Sequence, residues 1–206
     1  MPGVSIGVLR GYSGTLGMFV EHESAGRCIL TADHVLAPRG NADRKPIYQP
    51  GLDDSAPDDR NVIGHVDSGL RREAACGVSL FQYNGSRRTH DIALGAHERL
   101  TGTRMPRVGE TLWKSGRTTG VTAAQVVGYA TETYDNCRPT IVLRAYDGNP
   151  ECEISMGGDS GAIWYDPISH EAIGVHCGGD EDYDLTEEWA VAAALYDLEK
   201  ALGIRI

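Results

Sequence analysis

The sequence predicts an all-β domain built from closed barrels. Short apolar runs alternate with clusters of Gly, Pro, Asp and Asn along most of the chain, the pattern of strands punctuated by turns. β-Branched residues gather in several runs, as in Val126-Val127 and Thr140-Ile141-Val142, where a pleated, half-buried surface accommodates them. About eleven such runs in 206 residues are too short and too many for a sheet with helical crossovers, and barrel closure removes the edges they would leave exposed.

In chain order the predicted strands are 14–21, 27–31, 46–49, 62–66, 77–82, 91–94, 111–115, 124–134, 140–144, 162–165 and 172–175. Between the third and fourth lies an acidic, Pro-containing loop, 50–61, which includes Asp53, Asp54, Asp58 and Asp59. Near the C-terminus Leu195, Leu198 and Leu202 fall on one helical face, and Gly203 is placed to stop the helix. Residues 189–193 form a last strand leading into that helix, or the helix begins near Glu187; the pattern fits both. The helix is expected to pack on the fold and not to act chemically.

Composition narrows the function classes. An apolar fraction of 41% with 7% aromatics is that of a globular chain. The formal net charge is −10 and no Lys/Arg-rich run occurs, so neither a nucleic-acid partner nor an anionic membrane surface is expected. No apolar run approaches the length of a transmembrane helix. Met1–Ile6 has no basic start and no apolar core of the kind a secretion signal carries. Five scattered cysteines, Cys28, Cys76, Cys137, Cys152 and Cys177, suggest reduced thiols and a cytoplasmic setting. No Cys-x-x-Cys or His-x-x-x-His spacing offers a metal site, and no cofactor is expected.

Three segments carry chemistry. Gly157-Gly158-Asp159-Ser160-Gly161-Ala162 sets a serine on a glycine-rich turn. The backbone N–H groups of Gly158 and Ser160 can there converge on one carbonyl oxygen, and no Cβ at 158 blocks the approach. As a bare turn sequence the segment would mean little, since Asp, Ser and Gly all favour turns. The second segment, Cys28-Ile29-Leu30-Thr31-Ala32-Asp33-His34, delivers an imidazole at the mouth of a strand, where a general base can be held rigidly. In the third, Thr89-His90-Asp91-Ile92-Ala93-Leu94, an aspartate opens an apolar run. It is placed to accept from the His34 Nδ1–H and fix its tautomer.

Together these segments resemble the chymotrypsin/trypsin-like serine proteases. The order His34, Asp91, Ser160 is that of the family, with TADH, HDIAL and GDSGA standing for TAAH, DIAL and GDSGG. Lys114-Ser115-Gly116-Arg117-Thr118-Thr119-Gly120-Val121-Thr122 is similar to a segment of bacterial trypsin-like peptidases, with a related stretch in the protease domain of the plant narrow-leaf protein. Tyr48–Gly51 and Gly174–Gly179 look like further segments of such proteins. The resemblance implies one protease domain over 1–206, made of two six-stranded Greek-key barrels, about 1–100 and about 108–206, with a C-terminal helix. It also implies a Ser–His–Asp endopeptidase with Gly158 and Ser160 as the oxyanion hole.

The same resemblance raises two questions. In relatives activated by cleavage, the aspartate at the position of Asp159 pairs with a newly cut amine. No Ile-Val-Gly-Gly start is present here, so Asp159 needs another cation, with Lys114 and Arg117 as candidates, or backbone donors, and a regulatory protein partner is a further expectation. Family position places Ile154, Ser155, His176, Gly178 and Gly179 at the primary specificity pocket. Ser155 and His176 fit the hydroxyl and imidazole that meet a Glu or Gln side chain in glutamyl endopeptidases and picornaviral proteases. Against that, Asp180-Glu181-Asp182 beside the pocket would favour Lys or Arg, and a purely structural His176 is the third reading. Oligomeric state is left open. The rival functions are an inactive protease-like binding module, which the intact His34, Asp91 and Ser160 argue against, and an α/β-hydrolase esterase, whose residue order is the reverse.

Overall fold

A computed structural model of the chain describes residues 1–37, 44–72, 77–96, 98–130, 140–146, 152–180 and 188–206, without the side chains of 71, 72 and 197. The first half carries strands β1 (Ser5–Val8), β2 (Gly14–Thr15), β3 (Met18–His22) and β4 (Gly26–Ala32), then the one-turn helix α1 (Asp33–Leu36). After these come β5 (Pro46–Tyr48), β6 (Val62–His65), the short helix α2 (Ser68–Arg72) and β7 (Val78–Gln82). The second half carries β8 (Thr111–Gly116), β9 (Gly120–Ala130), β10 (Thr140–Ala145), β11 (Ile163–Tyr165), β12 (Ala172–Gly179) and β13 (Trp189–Ala194). Helix α3 (Leu195–Ala201) and strand β14 (Ile204–Arg205) end the chain.

The second half closes into a six-stranded barrel in the order β10-β13-β12-β11-β8-β9. In the first half the described residues form two four-stranded sheets, β2-β1-β5-β6 and β14-β3-β4-β7, and closure into the expected second barrel is not seen among them. The β3 edge is covered from the far end of the sequence, because β14 pairs with β3 through Ile204↔His22 and Arg205↔Glu21. The predicted strand at 91–94 is not formed; Ile92 makes an isolated bridge to Arg99. Residues 131–134 of the predicted long strand, together with Cys76, Cys137, Glu181 and Asp182, lie outside the described residues.

Two-residue periodicity explains how the halves are joined. On β4, Cys28 and Leu30 point into a core shared with the second half, while Ile29 points into the core between the first-half sheets. β7 divides the same way, with Val78 and Leu80 on the shared side and Phe81 on the other. The shared core takes in Ile163, Tyr165 and Val175 of the barrel and Leu195, Leu198 and Leu202 around α3. Each fully buried aliphatic side chain contributes about 1.5–3 kcal/mol, so this core fixes the two halves against one another. The barrel interior is filled by Leu112, Val126, Ile141, Leu143, Trp164 and Ile173. Among the described residues no helix is long and apolar enough to cross a membrane.

Candidate active site

His34 is delivered as expected from the end of a buried strand. The run Cys28–Ala32 is wholly buried, and α1 is anchored by buried Val35 and Leu36, which leaves the His34 side chain exposed between them. Ser160 comes from the turn between the barrel strands. Thr15 N–H donates to the Ser160 carbonyl (2.8 Å), and Gly161 N–H donates to the His176 carbonyl (2.8 Å). This turn touches the first half backbone to backbone: a β-carbon on Gly161 would stand 2.2 Å from Thr31 Oγ1 and 2.4 Å from the Thr15 carbonyl, and its φ is +97°. Only glycine fits such a position. His34 and Ser160 thereby line one cavity of about 580 Å³, together with Gly157 and Gly158.

The peptide units that carry the N–H groups expected to form the oxyanion hole are fixed by their neighbours. Gly158 has φ +102°, and a β-carbon there would meet Arg117 Nη1 and Thr118 Oγ1 at 2.5 Å each. Two hydroxyls fix the neighbouring carbonyls: Thr118 Oγ1 donates to Gly157 O (2.8 Å) and Thr15 Oγ1 donates to Gly158 O (2.9 Å). A trans peptide points its carbonyl and N–H to opposite sides, so the grip on Gly157 O sets the direction of the Gly158 N–H. Among the described residues no acceptor takes the N–H of Gly158 or of Ser160. Thr15 and Thr118 were not singled out by sequence reasoning; the signal for Thr118 was its place in the run that also holds Lys114.

Asp159 is fully buried and has five donors. Lys114 Nζ (3.0 Å), Thr119 Oγ1 (2.6 Å) and the N–H groups of Thr118 (2.8 Å), Thr119 (3.2 Å) and Met156 (3.1 Å) all reach its carboxylate. Burial pushes the Asp159 carboxyl up, but Lys114, Thr119 and Thr118 outweigh it and hold it below the usual carboxylate range. Burial pushes the Lys114 ammonium down against the pull of Asp159, and its Nζ also lies 5.6 Å from the Trp164 ring centroid. Of the two cations the sequence offered, Lys114 is therefore the partner. Arg117 instead forms a bidentate pair with Asp54, at 2.7 Å from both Nε and Nη2.

The expected pairing of Asp91 with His34 is not found. The Asp91 carboxylate is taken by Arg27 and, at 3.5 Å, by Arg99. Arg27 also reaches Thr89 Oγ1 at 3.2 Å and lies over the Phe19 ring, 4.9 Å from its centroid. Arg27 and Ala32 occupy opposite ends of β4, and five strand steps separate them by roughly 17 Å. The strand that runs beside β4 to the His34 end is β7, with Ala32↔Val78 and the Asp33 N–H on the Gly77 carbonyl (2.6 Å). The strand beside the His34 end of β4 is thus 77–82, while Asp91 lies with Arg27 toward the other end. Asp33 itself accepts from Ser79 Oγ.

None of the five residues expected at the specificity pocket lines the cavity of His34 and Ser160. Ile154, Ser155 and His176 are buried, and Gly178 and Gly179 are half-buried. A β-carbon on Gly179 would come within 2.5 Å of Ser155 Oγ, so the segments around 155 and 179 lie against each other. His176 Nδ1 accepts from Trp164 Nε1 (3.4 Å), with the rings edge to face and centroids 6.1 Å apart. An indole nitrogen only donates, so Nδ1 is unprotonated and the ring proton sits on Nε2. Burial, reinforced by the Lys114 charge, pushes the imidazole down to about 3. The cavity is also lined by Tyr12, Ser13, Asp53 and Arg117, none of which had been assigned there.

No family model matches this chain, and no curated protein matches it by sequence. Solved structures do. A glutamic acid specific serine protease that utilizes a histidine triad in substrate binding superposes with a TM-score of 0.68 at 20% identity, over 98% of this chain and 97% of that one. Thermobifida fusca Protease A gives 0.65 at 16% identity over 100% and 96%. Cellulomonas bogoriensis chymotrypsin gives 0.65 at 16% identity over 100% and 97%. The chain has the fold of the chymotrypsin/trypsin-like serine proteases.

Proposed function

We propose that the chain is a serine endopeptidase in which Ser160 is the nucleophile and His34 the general base. The observation that carries this is the shared cavity of His34, Ser160 and Gly158, with the N–H groups of Gly158 and Ser160 left without an internal acceptor among the described residues. Ser160 Oγ adds to the scissile carbonyl as His34 takes its proton, and the two N–H groups bind the oxyanion. The tetrahedral intermediate collapses with His34 returning the proton to the departing amine, and water releases the acyl group by the same steps in reverse. Asp91, bound to Arg27 and Arg99, takes no part in this relay. Lys114 serves Asp159 in place of a cut N-terminal amine, so the turn is formed without proteolytic activation.

The primary specificity proposed is Glu or Gln. A neutral His176 with its proton on Nε2 donates to a carboxylate or amide oxygen, and Ser155 lies against the same segment. Structural likeness to a glutamic acid specific protease supports that choice. The test is a peptide library scanned at the residue before the cut, with Ser160→Ala as control. The expected result is cleavage after Glu or Gln that falls to background in Ser160→Ala. Cleavage undiminished in that variant would remove Ser160 from the mechanism, and cleavage without regard to residue type would remove His176 from specificity.

A further inference from the structure

We propose that the cavity beside Ser160 is the binding site for the leaving-group side of the substrate, and that it selects a Lys or Arg side chain there. The inference rests on the endopeptidase reading above. The cavity is lined by the nucleophile Ser160, the base His34 and Gly157 and Gly158, and also by Tyr12, Ser13, Asp53 and Arg117, with Arg117 lying against Gly158. None of the residues placed around the acyl side, 154–155 and 176–179, lines it. With the acyl half directed toward those segments, as the specificity proposed above requires, the half that departs as the amine lies in this cavity.

Tyr12 and Asp53 in this lining suit a cation with an apolar stem. The Asp53 side chain is fixed, because Oδ2 accepts from Ser13 N–H (2.7 Å) and Ser13 Oγ accepts from Asp53 N–H (3.0 Å). Tyr12 is 83% exposed at the same rim, and its ring offers a face to an alkyl chain or a cation. The other charged or titratable side chains lining the cavity are Arg117 and His34. Arg117 is committed bidentately to Asp54, which offsets its charge and leaves the Asp53 carboxylate to meet a cation. A basic side chain across the cleft meets the Asp53 carboxylate with its stem over Tyr12, whereas an acidic one meets repulsion.

Acyl transfer to added amines tests this site separately from the acyl side. With a p-nitrophenyl ester of the acyl peptide preferred in the library scan, the acyl-enzyme is partitioned between water and an amino-acid amide. The amine nitrogen attacks the ester carbonyl and its proton passes to His34; the C–N bond forms, the bond to Ser160 Oγ breaks, and His34 returns the proton to that oxygen, regenerating the free hydroxyl. Argininamide and lysinamide are expected to capture the acyl group about two- to fivefold better than norleucinamide, the range of a solvent-facing ion pair. Glutamic acid amide is expected to capture it less well than norleucinamide. The ratio is read within each protein, and Asp53→Asn is expected to bring it to about one. In the unaltered protein the ratio should shrink as salt rises from low to high ionic strength, a readout that needs no variant. A ratio of one in the unaltered protein, or one that survives Asp53→Asn, would overturn the inference and leave the endopeptidase reading intact; no p-nitrophenol release at all would overturn the endopeptidase reading instead.

Discussion

Each group proposed to react at Ser160 is held by a neighbour that does not itself react. Thr118 grips the carbonyl of the peptide whose N–H is proposed to bind the oxyanion. Removing one such donor outright costs about 10²–10³ in kcat, so Thr118→Val is expected to lower kcat by up to about 10² with KM little changed, and Thr118→Ser to restore it. An effect on KM alone would show that Thr118 does not position the turn. Asp91 gives the opposite expectation. Its carboxylate serves Arg27 and Arg99, so Asp91→Asn should leave kcat within about tenfold and act on stability. A loss near 10⁴, the size seen when a triad aspartate is neutralised, would mean that Asp91 does reach His34. The two residues also mark the limits of the sequence. Ser160 and His34 were legible because each follows a local rule, a glycine turn and a strand mouth. Asp91 was misplaced because two segments, 77–82 and 91–94, both look like buried strands, and only three-dimensional pairing decides which one lies beside β4.

β8 joins the barrel to the nucleophile turn. It places Lys114 beneath that turn by pairing with β9 through Lys114↔Thr122 and with β11 through Trp164↔Lys114. Lys114→Met leaves Asp159 buried without its cation, and removing one partner of a buried pair costs about 3–5 kcal/mol. Chemical denaturation should show that loss, and the surviving folded protein should have lost activity through a disordered oxyanion turn. A variant with unchanged midpoint and unchanged turnover would refute the role given to this pair. The sequence offered Lys114 and Arg117 as alternatives because spacing alone cannot tell which side chain points inward. The register settles it, since Lys114 has its burial on the barrel side while Arg117, beyond the end of β8, turns to Asp54 in the loop after β5. The alternation of apolar residues made most strands legible, but not the two-sheet form of the first half. One of its two sheets takes its edge strand from β14, a two-residue strand too short to leave a periodic signal.

At the scale of the whole molecule, the buried neutral His176 links folding to pH. Its imidazole titrates at about 3 in the folded protein because of burial and the nearby Lys114 charge, against about 6.5 in an unfolded chain. Between these values the unfolded chain binds the extra proton, so stability is full above about pH 6.5 and falls as the solution is acidified toward pH 3. Asp159 and Asp166, both held below the ordinary carboxylate range, extend the loss to lower pH, below the unfolded value of about 3.9. Thermal melts from pH 8 to 4 should show Tm dropping across the upper window, and His176→Gln should flatten that part of the curve. A wild-type Tm constant from pH 7 to 4 would contradict the buried, neutral state of this ring.

The central claim is that Ser160 is an activated nucleophile. It is tested most directly by incubating the intact protein with a fluorophosphonate and locating the adduct by peptide mass spectrometry. The account predicts one stoichiometric adduct on Ser160, formed slowly or not at all in His34→Ala and absent in Ser160→Ala. A folded protein that acquires no adduct, or carries it on another residue at an undiminished rate in Ser160→Ala, would contradict it.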